Sequence, residues 1–236
     1  MKIIGILNTL KKEKENEPYD QYYKFTKLYI DRIKELNCLP VGILDTSDLS
    51  LYDAIIIPGG NMIKEEHYQV IDYCIKNNVP CLGICMGMQA MILYDVLINI
   101  CKKEKERVFM KDLVNKYEEL AKQKNYILQK VVDHGGELVE GRLEATLDNI
   151  LKSKHAIDIK PNSFLDEIYH SSNIDVISMH NYGYKGDLKD FKVIATTKDN
   201  TVEAIQHVSA HIWGVQFHIE VEPNNEIIKQ FINMIN

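Results

Sequence analysis

Residues 80–89 read Pro80-Cys81-Leu82-Gly83-Ile84-Cys85-Met86-Gly87-Met88-Gln89. The apolar run over 79–84 has the composition of a buried strand, and residues 86–98 continue at helical spacing. Cys85 therefore falls at a strand-to-helix turn. Gly83-x-Cys85-x-Gly87 is a thiol counterpart of the nucleophile elbow. Its glycines have a steric task, because side chains beside so tight a turn would collide with neighbouring backbone. A thiol at a helix N-terminus meets orphan N–H groups and the positive end of the helix dipole, which favour the reactive thiolate.

The flanking sequence repeats the alternation. Residues 2–7, 41–44 and 54–57 read as buried strands, the last stopped by Pro58-Gly59-Gly60. Residues 21–36 carry Tyr22, Phe25, Tyr29, Ile33 and Leu36 at helical spacing, and 68–76 place Val70, Ile71 and Cys74 on one helical face. Apolar strands alternating with helices predict an α/β fold with a parallel sheet covered on both faces. Residues 101–130 break the pattern with nine basic and five acidic side chains. Met110, Leu113, Val114, Tyr117, Leu120 and Ala121 recur there as one apolar stripe, the mark of an amphipathic helix with a solvated face. A packed surface helix is the plain reading, and a lid or a dimer contact the sharper one. Asp133-His134-Gly135-Gly136 reads as a turn. Short strands come after it at 155–159, 175–178, 192–196, 202–206 and 212–217, with hairpin-turn residues at 197–201. A helix over 226–235 closes the chain, with Ile227, Ile228, Phe231, Ile232 and Ile235 toward the core. No repeat or linker interrupts this order, so residues 1–236 are expected to form one domain with a charged helical insertion at about 101–130.

Of the 236 residues 45% are hydrophobic and 26% charged, which excludes a disordered chain. A net charge of -6 gives no global attraction to nucleic acid or to an anionic membrane. No apolar run approaches the ~20 residues needed to span a bilayer. Nor do the first residues resemble a signal peptide, so a cytoplasmic location is expected. The five cysteines are an odd number without framework spacing, which predicts free thiols, one of them catalytic. Cys38, Cys74 and Cys81 read as small core hydrophobes and Cys101 as an inert or surface thiol. No C-x-x-C pair supports a cysteine–histidine zinc site, and no metal site is expected.

A nucleophilic cysteine needs a base and an orienting group. His218, in Gly214-Val215-Gln216-Phe217-His218-Ile219-Glu220, ends an apolar strand at the sheet edge that Cys85 also ends if the sheet is parallel. Glu220, two residues on, points the same way as His218 if the strand persists, and so can hold the second ring nitrogen. Gly59 and Gly60 end a neighbouring strand. Their N–H groups, with that of Met86 after the nucleophile, form a candidate oxyanion hole.

Together these segments resemble the class I (triad) glutamine amidotransferase superfamily. Gly83-Ile84-Cys85-Met86-Gly87-Met88-Gln89 is similar to its G-x-C-x-G-x-Q motif, Gln216-Phe217-His218-Ile219-Glu220 to its Q-x-H-P-E motif, and Pro58-Gly59-Gly60 to its oxyanion strand. Ile219 stands where the family usually has proline. Tyr22 to Leu36 followed by Pro40-Val41, His155-Ala156-Ile157-Asp158-Ile159 with Ser163, Val176-Ile177-Ser178-Met179-His180 and Val202-Glu203-Ala204-Ile205 resemble the γ-glutamyl-γ-aminobutyrate hydrolase-like branch. Ile177 and Tyr182 depart from that branch's V-N-S-x-H-x-Q.

The resemblance implies a flavodoxin-like three-layer fold with a mostly parallel central sheet and a small antiparallel β addition. It also implies hydrolysis of γ-glutamyl amide bonds through a thioester on Cys85. His218 would serve as acid and base with Glu220 behind it, and Gln89, Ser178, Met179 and His180 would read the γ-glutamyl group. No metal or organic cofactor is called for. The alternative is a glutaminase subunit that delivers ammonia to a separate synthetase, since the triad domain takes up nearly all of the chain and leaves no room for a fused one. The partner expected is a small γ-glutamyl substrate, with a homodimer left open.

Overall fold

Strand β5 (Ala54–Ile57) shows how the layers are set. All four of its side chains are buried, and they alternate between two cores. Ala54 and Ile56 pack with Ile4 and Ile6 of β1 (Ile3–Leu7), and with helices α1 (Lys27–Glu35), α7 (Phe164–Tyr169) and α8 (Glu226–Asn233). Ile55 and Ile57 pack instead with α2 (Glu65–Asn77) and α3 (Met86–Lys103). A strand buried on both faces must be apolar throughout, which is why no alternation shows in its sequence. Each isoleucine there contributes about 2–3 kcal/mol by burial.

The structure is a computed structural model that describes residues 1–12, 21–105, 108–223 and 225–235. One nine-stranded sheet runs in the order β4 (Leu39–Ile43), β1, β5, β6 (Cys81–Ile84), β13 (Ile212–Val215), β12 (Val202–His207), β11 (Phe191–Thr196), β8 (Lys154–Ile159) and β9 (Asn173–Ile177). The first five are parallel. From β13 onward each neighbour is antiparallel, so the antiparallel addition extends the same sheet. Two small ribbons stand apart, β2 (Thr9–Lys12) with β3 (Gln21–Lys24) and β7 (Gln129–Lys130) with β10 (Tyr182–Gly183). The α/β class and the three layers agree with the sequence reading. Short helices α5 (Gly136–Val139) and α6 (Leu147–Lys152) fill the connection before β8.

Several expected elements differ. The first helix begins at Lys27 rather than at 21, because Gln21–Lys24 pair with Thr9–Lys12 as a ribbon. The helix expected over 101–130 is divided. α3 runs on to Lys103, Lys105 takes a left-handed φ of 59°, and α4 (Met110–Lys122) starts afresh, while residues 106–107 lie outside the described residues. Cys101 is buried rather than at the surface, because α4 covers it in a third core with Tyr68, Leu93, Leu97, Leu113 and Leu128. The other expectations for the cysteines hold: Cys38, Cys74 and Cys81 are buried, and no disulfide joins the cysteines among the described residues.

His67 in the first turn of α2 accepts the N–H of Lys64 through Nδ1 (3.1 Å) and is buried. Burial pushes its pKa down to about 4, opposed only in part by the charge of Glu66. The folded state therefore resists protonation that the unfolded chain accepts near pH 6.5. Stability carried by the neutral ring is complete above that value and is lost as the pH falls toward 4. Urea unfolding at pH 7.5 and pH 5 is expected to show the wild type losing about 2 kcal/mol more than His67→Gln, which cannot charge. Equal losses in the two proteins would contradict this account.

Candidate active site

The parallel register of β5, β6 and β13 delivers the site. Gly83 of β6 lies opposite Ile57 on one side and Gly214 on the other. The three strands therefore release their chains at one carboxyl edge: Gly59 and Gly60 come after β5, Cys85 after β6 and His218 after β13. Cys85 has φ 52° and ψ -106°, a backbone state costly for a residue with a side chain, and its N–H is fixed to the Val215 carbonyl (2.8 Å). A Cβ on Gly83 would fall 2.8 Å from the carbonyl carbon of Gly87, and one on Gly87 2.1 Å from the carbonyl oxygen of Ile57. The two glycines are thus required by close backbone approach.

His218 is tied to Glu220, its Nδ1 lying 2.7 Å from Oε1, and its ring is close enough to Cys85 to feel the charge of the sulfur. Burial alone would push the imidazole pKa down. The charges of Glu220 and Cys85 outweigh it and hold the value well above that of an ordinary histidine. Glu220 arrives by a route the sequence reading did not foresee. β13 ends at Val215, and residues 219–221 form a 3-10 turn that carries the carboxylate back under the ring. Ile219, in place of the family's proline, is buried in that turn.

Gly59 packs beside both groups; a Cβ there would stand 3.3 Å from His218 Cε1 and 3.5 Å from Cys85 Cβ. Its N–H is already donated to the Tyr29 hydroxyl (3.3 Å), while Gly60 and Met86 line the cavity. Burial, followed by the charge of Glu220, raises the Tyr29 pKa well above the usual phenol value, so this hydroxyl stays neutral. Met86 is the first residue of α3, where its N–H has no carbonyl within the helix to bond.

A cavity of about 1310 Å³ opens over the sulfur, above the usual ~300–1,000 Å³ of small-molecule sites. Cys85, Met86, Gln89, Met179, His180 and His218 line its floor and one side. α4 also lines it, through Lys111, Val114, Asn115, Tyr117 and Glu118, while its Leu113 is buried against α2 and α3. The helix read as a surface element thus bounds the cavity. Gln89 Nε2 donates to the Tyr182 carbonyl (2.8 Å) and to Gln216 Oε1 (3.1 Å). Ser178 stands behind the lining: its Oγ donates to the His134 carbonyl (2.9 Å), its N–H to the Ser153 carbonyl, and its own carbonyl accepts from Ser153 Oγ. Every polar group of Ser178 is so engaged, and in His180 the N–H is held by the His134 carbonyl (2.9 Å) and Nδ1 lies 3.1 Å from the Tyr182 carbonyl, while Met179 and His180 both line the cavity. The sequence reading gave no role to Gln216, whose Nε2 donates to the Cys85 sulfur (3.5 Å), nor to Tyr29 beside Glu220. For Gln216 the signal was its place inside the histidine motif; for Tyr29 there was none, since it reads as one more core position of a helix.

Comparison with known proteins agrees with this architecture. The glutamine amidotransferase class-I family model matches residues 17–234, and the chain belongs to that family. A CTP synthase from Methanosphaera stadtmanae is 27% identical over 217 residues, 86% of this chain but 37% of that protein. The chain thus spans about a third of the CTP synthases it matches. The γ-glutamyl-CDP-amidate hydrolase of Campylobacter jejuni is 23% identical over 218 residues, 84% of this chain and 81% of that one. The glutaminase domain of Trypanosoma brucei CTPS with bound acivicin superposes with a TM-score of 0.66 at 15% identity, over 98% of this chain and 92% of that one. A glutamine amidotransferase from Thermotoga maritima gives 0.54 at 16% identity, over 98% and 80%. Among the described residues no helix is long and apolar enough to cross a membrane.

Proposed function

We propose that the chain hydrolyses γ-glutamyl amide bonds through a γ-glutamyl thioester on Cys85. The observation that carries this reading is the convergence of Cys85, His218 and Glu220 at one sheet edge beneath a cavity. His218 takes the thiol proton, and the sulfur attacks the γ-carbonyl carbon. The N–H groups of Gly60 and Met86 face the developing oxyanion, a stabilisation worth roughly 3–4 kcal/mol per donor in comparable sites. The C–N bond breaks as His218 returns the proton to the leaving amine. Water, deprotonated by the same ring, then cleaves the thioester and releases glutamate. Glu220 holds the ring and stabilises its charged form. Gln89 and the backbone of Met179 and His180 are the candidate contacts to the γ-glutamyl group.

Cavity size favours this reading over the glutaminase one. A volume of about 1310 Å³ has room for an amine far larger than ammonia, and the Campylobacter hydrolase matches the chain over most of both lengths. The similarity to CTP synthases is the observation on the other side. A screen of the purified protein against γ-glutamyl-γ-aminobutyrate, γ-glutamyl peptides, γ-glutamyl nucleotide amidates and glutamine tests it. Glutamate release from one of the substituted amides is expected to exceed that from glutamine by roughly tenfold or more in kcat/KM. Preferential turnover of glutamine, accelerated by an added synthetase, would instead establish the amidotransferase subunit.

A further inference from the structure

Behind the cavity floor three imidazoles close on one carboxylate. Glu203, in β12, is fully buried; His134 precedes α5, His155 lies in β8, and His180 comes after β9. His134 Nδ1 is 3.3 Å from Glu203 Oε1, and His180 Nε2 is 3.5 Å from the same oxygen. His155 Nε2 is 3.8 Å from Oε2. One ligand atom from each residue lies within 4.8 Å of all the others. Yet neither carboxylate oxygen, nor any of the three ring nitrogens facing them, has a hydrogen-bond partner.

Hydrogen bonds between charged groups settle at about 2.7–2.9 Å, shorter than every one of these separations. A tetrahedron around an ion with ligand bonds of about 2.0–2.2 Å has edges of roughly 3.3–3.6 Å, which the two distances to Oε1 match; His155 reaches the other oxygen of the same carboxylate. The tautomers point the same way. His180 Nδ1 lies 3.1 Å from the Tyr182 carbonyl and His155 Nδ1 3.3 Å from the Ala156 carbonyl. A carbonyl can only accept, so the proton sits on Nδ1 in both rings. With Nδ1 so engaged, the ring nitrogen left to face the carboxylate, and free to serve as a ligand, is Nε2, at 3.5 Å in His180 and 3.8 Å in His155. A carbonyl behind the ring is also the usual support of a metal-bound histidine. The frame is built in advance: the His134 carbonyl accepts both Ser178 Oγ and the His180 N–H (2.9 Å each), and the Glu203 carbonyl accepts the Gln216 N–H (2.8 Å).

We propose that His134, His155, His180 and Glu203 form a closed four-coordinate site for a divalent transition metal of the zinc class. Imidazole donors select such ions over magnesium or calcium, which require oxygen cages. Four protein ligands leave no open position, so the ion's task is structural. It ties strands β8 and β12 to the two segments that carry His134 and His180, and His180 is part of the cavity wall. The site does not depend on the chemistry assigned to Cys85.

The untagged full chain, stripped with a chelator and re-equilibrated with Zn²⁺ or Co²⁺, is expected to retain one ion per chain by elemental mass spectrometry. Its Co²⁺ form should show the intense visible absorption of a four-coordinate ion. Glu203→Gln and His155→Ala should lose that spectrum and weaken retention roughly 100-fold or more. If either variant fails to fold, X-ray absorption on the wild-type zinc form decides. Three imidazoles and a carboxylate around zinc support the site; an oxygen-only or six-coordinate shell overturns it. A wild-type chain that retains no ion, and melts at one temperature with Zn²⁺ or with chelator, overturns it too and leaves a proton-sharing cluster.

Discussion

Cys85→Ala is expected to lower kcat on the γ-glutamyl substrate by about 10⁵–10⁶ while the protein keeps its fold. The size reflects the step that disappears. Without the sulfur no thioester forms, and only binding and the oxyanion donors remain to assist attack by water. The fold survives because alanine keeps the backbone of the elbow and removes one atom from a site that opens onto the cavity. Thermal unfolding should therefore move little, which separates loss of chemistry from loss of structure. Labelling gives a second measurement. Cys38, Cys74, Cys81 and Cys101 are buried, and none of them lines the cavity, whereas Cys85 does. A thiol-reactive glutamine analogue should add one mass increment to the wild type and none to Cys85→Ala. Retained turnover, or labelling at another cysteine, would remove Cys85 from the nucleophile's role.

The features legible in the sequence are local and steric. An elbow must have glycine where backbones touch, and a strand buried on both faces must be apolar, so residues 54–60 and 80–89 can be read without a structure. His218 and Glu220 were legible as a motif, but the geometry joining them was not. It comes from a 3-10 turn of three residues with no periodicity to detect. The break between α3 and α4 was hidden because charge is continuous across it, while the deciding feature is one left-handed lysine, Lys105. Least legible of all was the histidine cluster. Its ligands come from four segments spread over residues 134–203, and only the antiparallel pairing of β8, β11 and β12, with the loops around it, brings them together. A search for closely spaced cysteines and histidines has no means of finding a site assembled in that way.

Gly87→Ala tests whether the elbow and the sheet are one mechanical unit. The added methyl would stand 2.1 Å from the Ile57 carbonyl oxygen and 2.9 Å from its carbonyl carbon. Both atoms belong to the backbone of a central strand held on two sides by β1 and β6, so neither can swing away as a side chain would. Relief requires α3 and the end of β5 to part by roughly 1 Å, at a cost of about 1–3 kcal/mol or more in stability. The same displacement separates Cys85 from Gly60, two cavity-lining groups on opposite sides of the contact. A misplacement of that size costs on the order of 10²-fold in rate even when every reacting group is present. Gly214→Ala provides the contrast. Its methyl would meet Met88 Cγ at 2.6 Å and Ile205 Cγ1 at 2.9 Å, side-chain atoms that can rotate, so its losses in stability and in kcat should be smaller. Gly83→Ala, which meets the Gly87 backbone at 2.8–2.9 Å, should fall between the two. Urea unfolding and kcat measured on all three variants check the order, and a Gly87→Ala protein as stable and active as the wild type would show that the helix can slide freely over the strand end, so that the elbow does not fix the nucleophile.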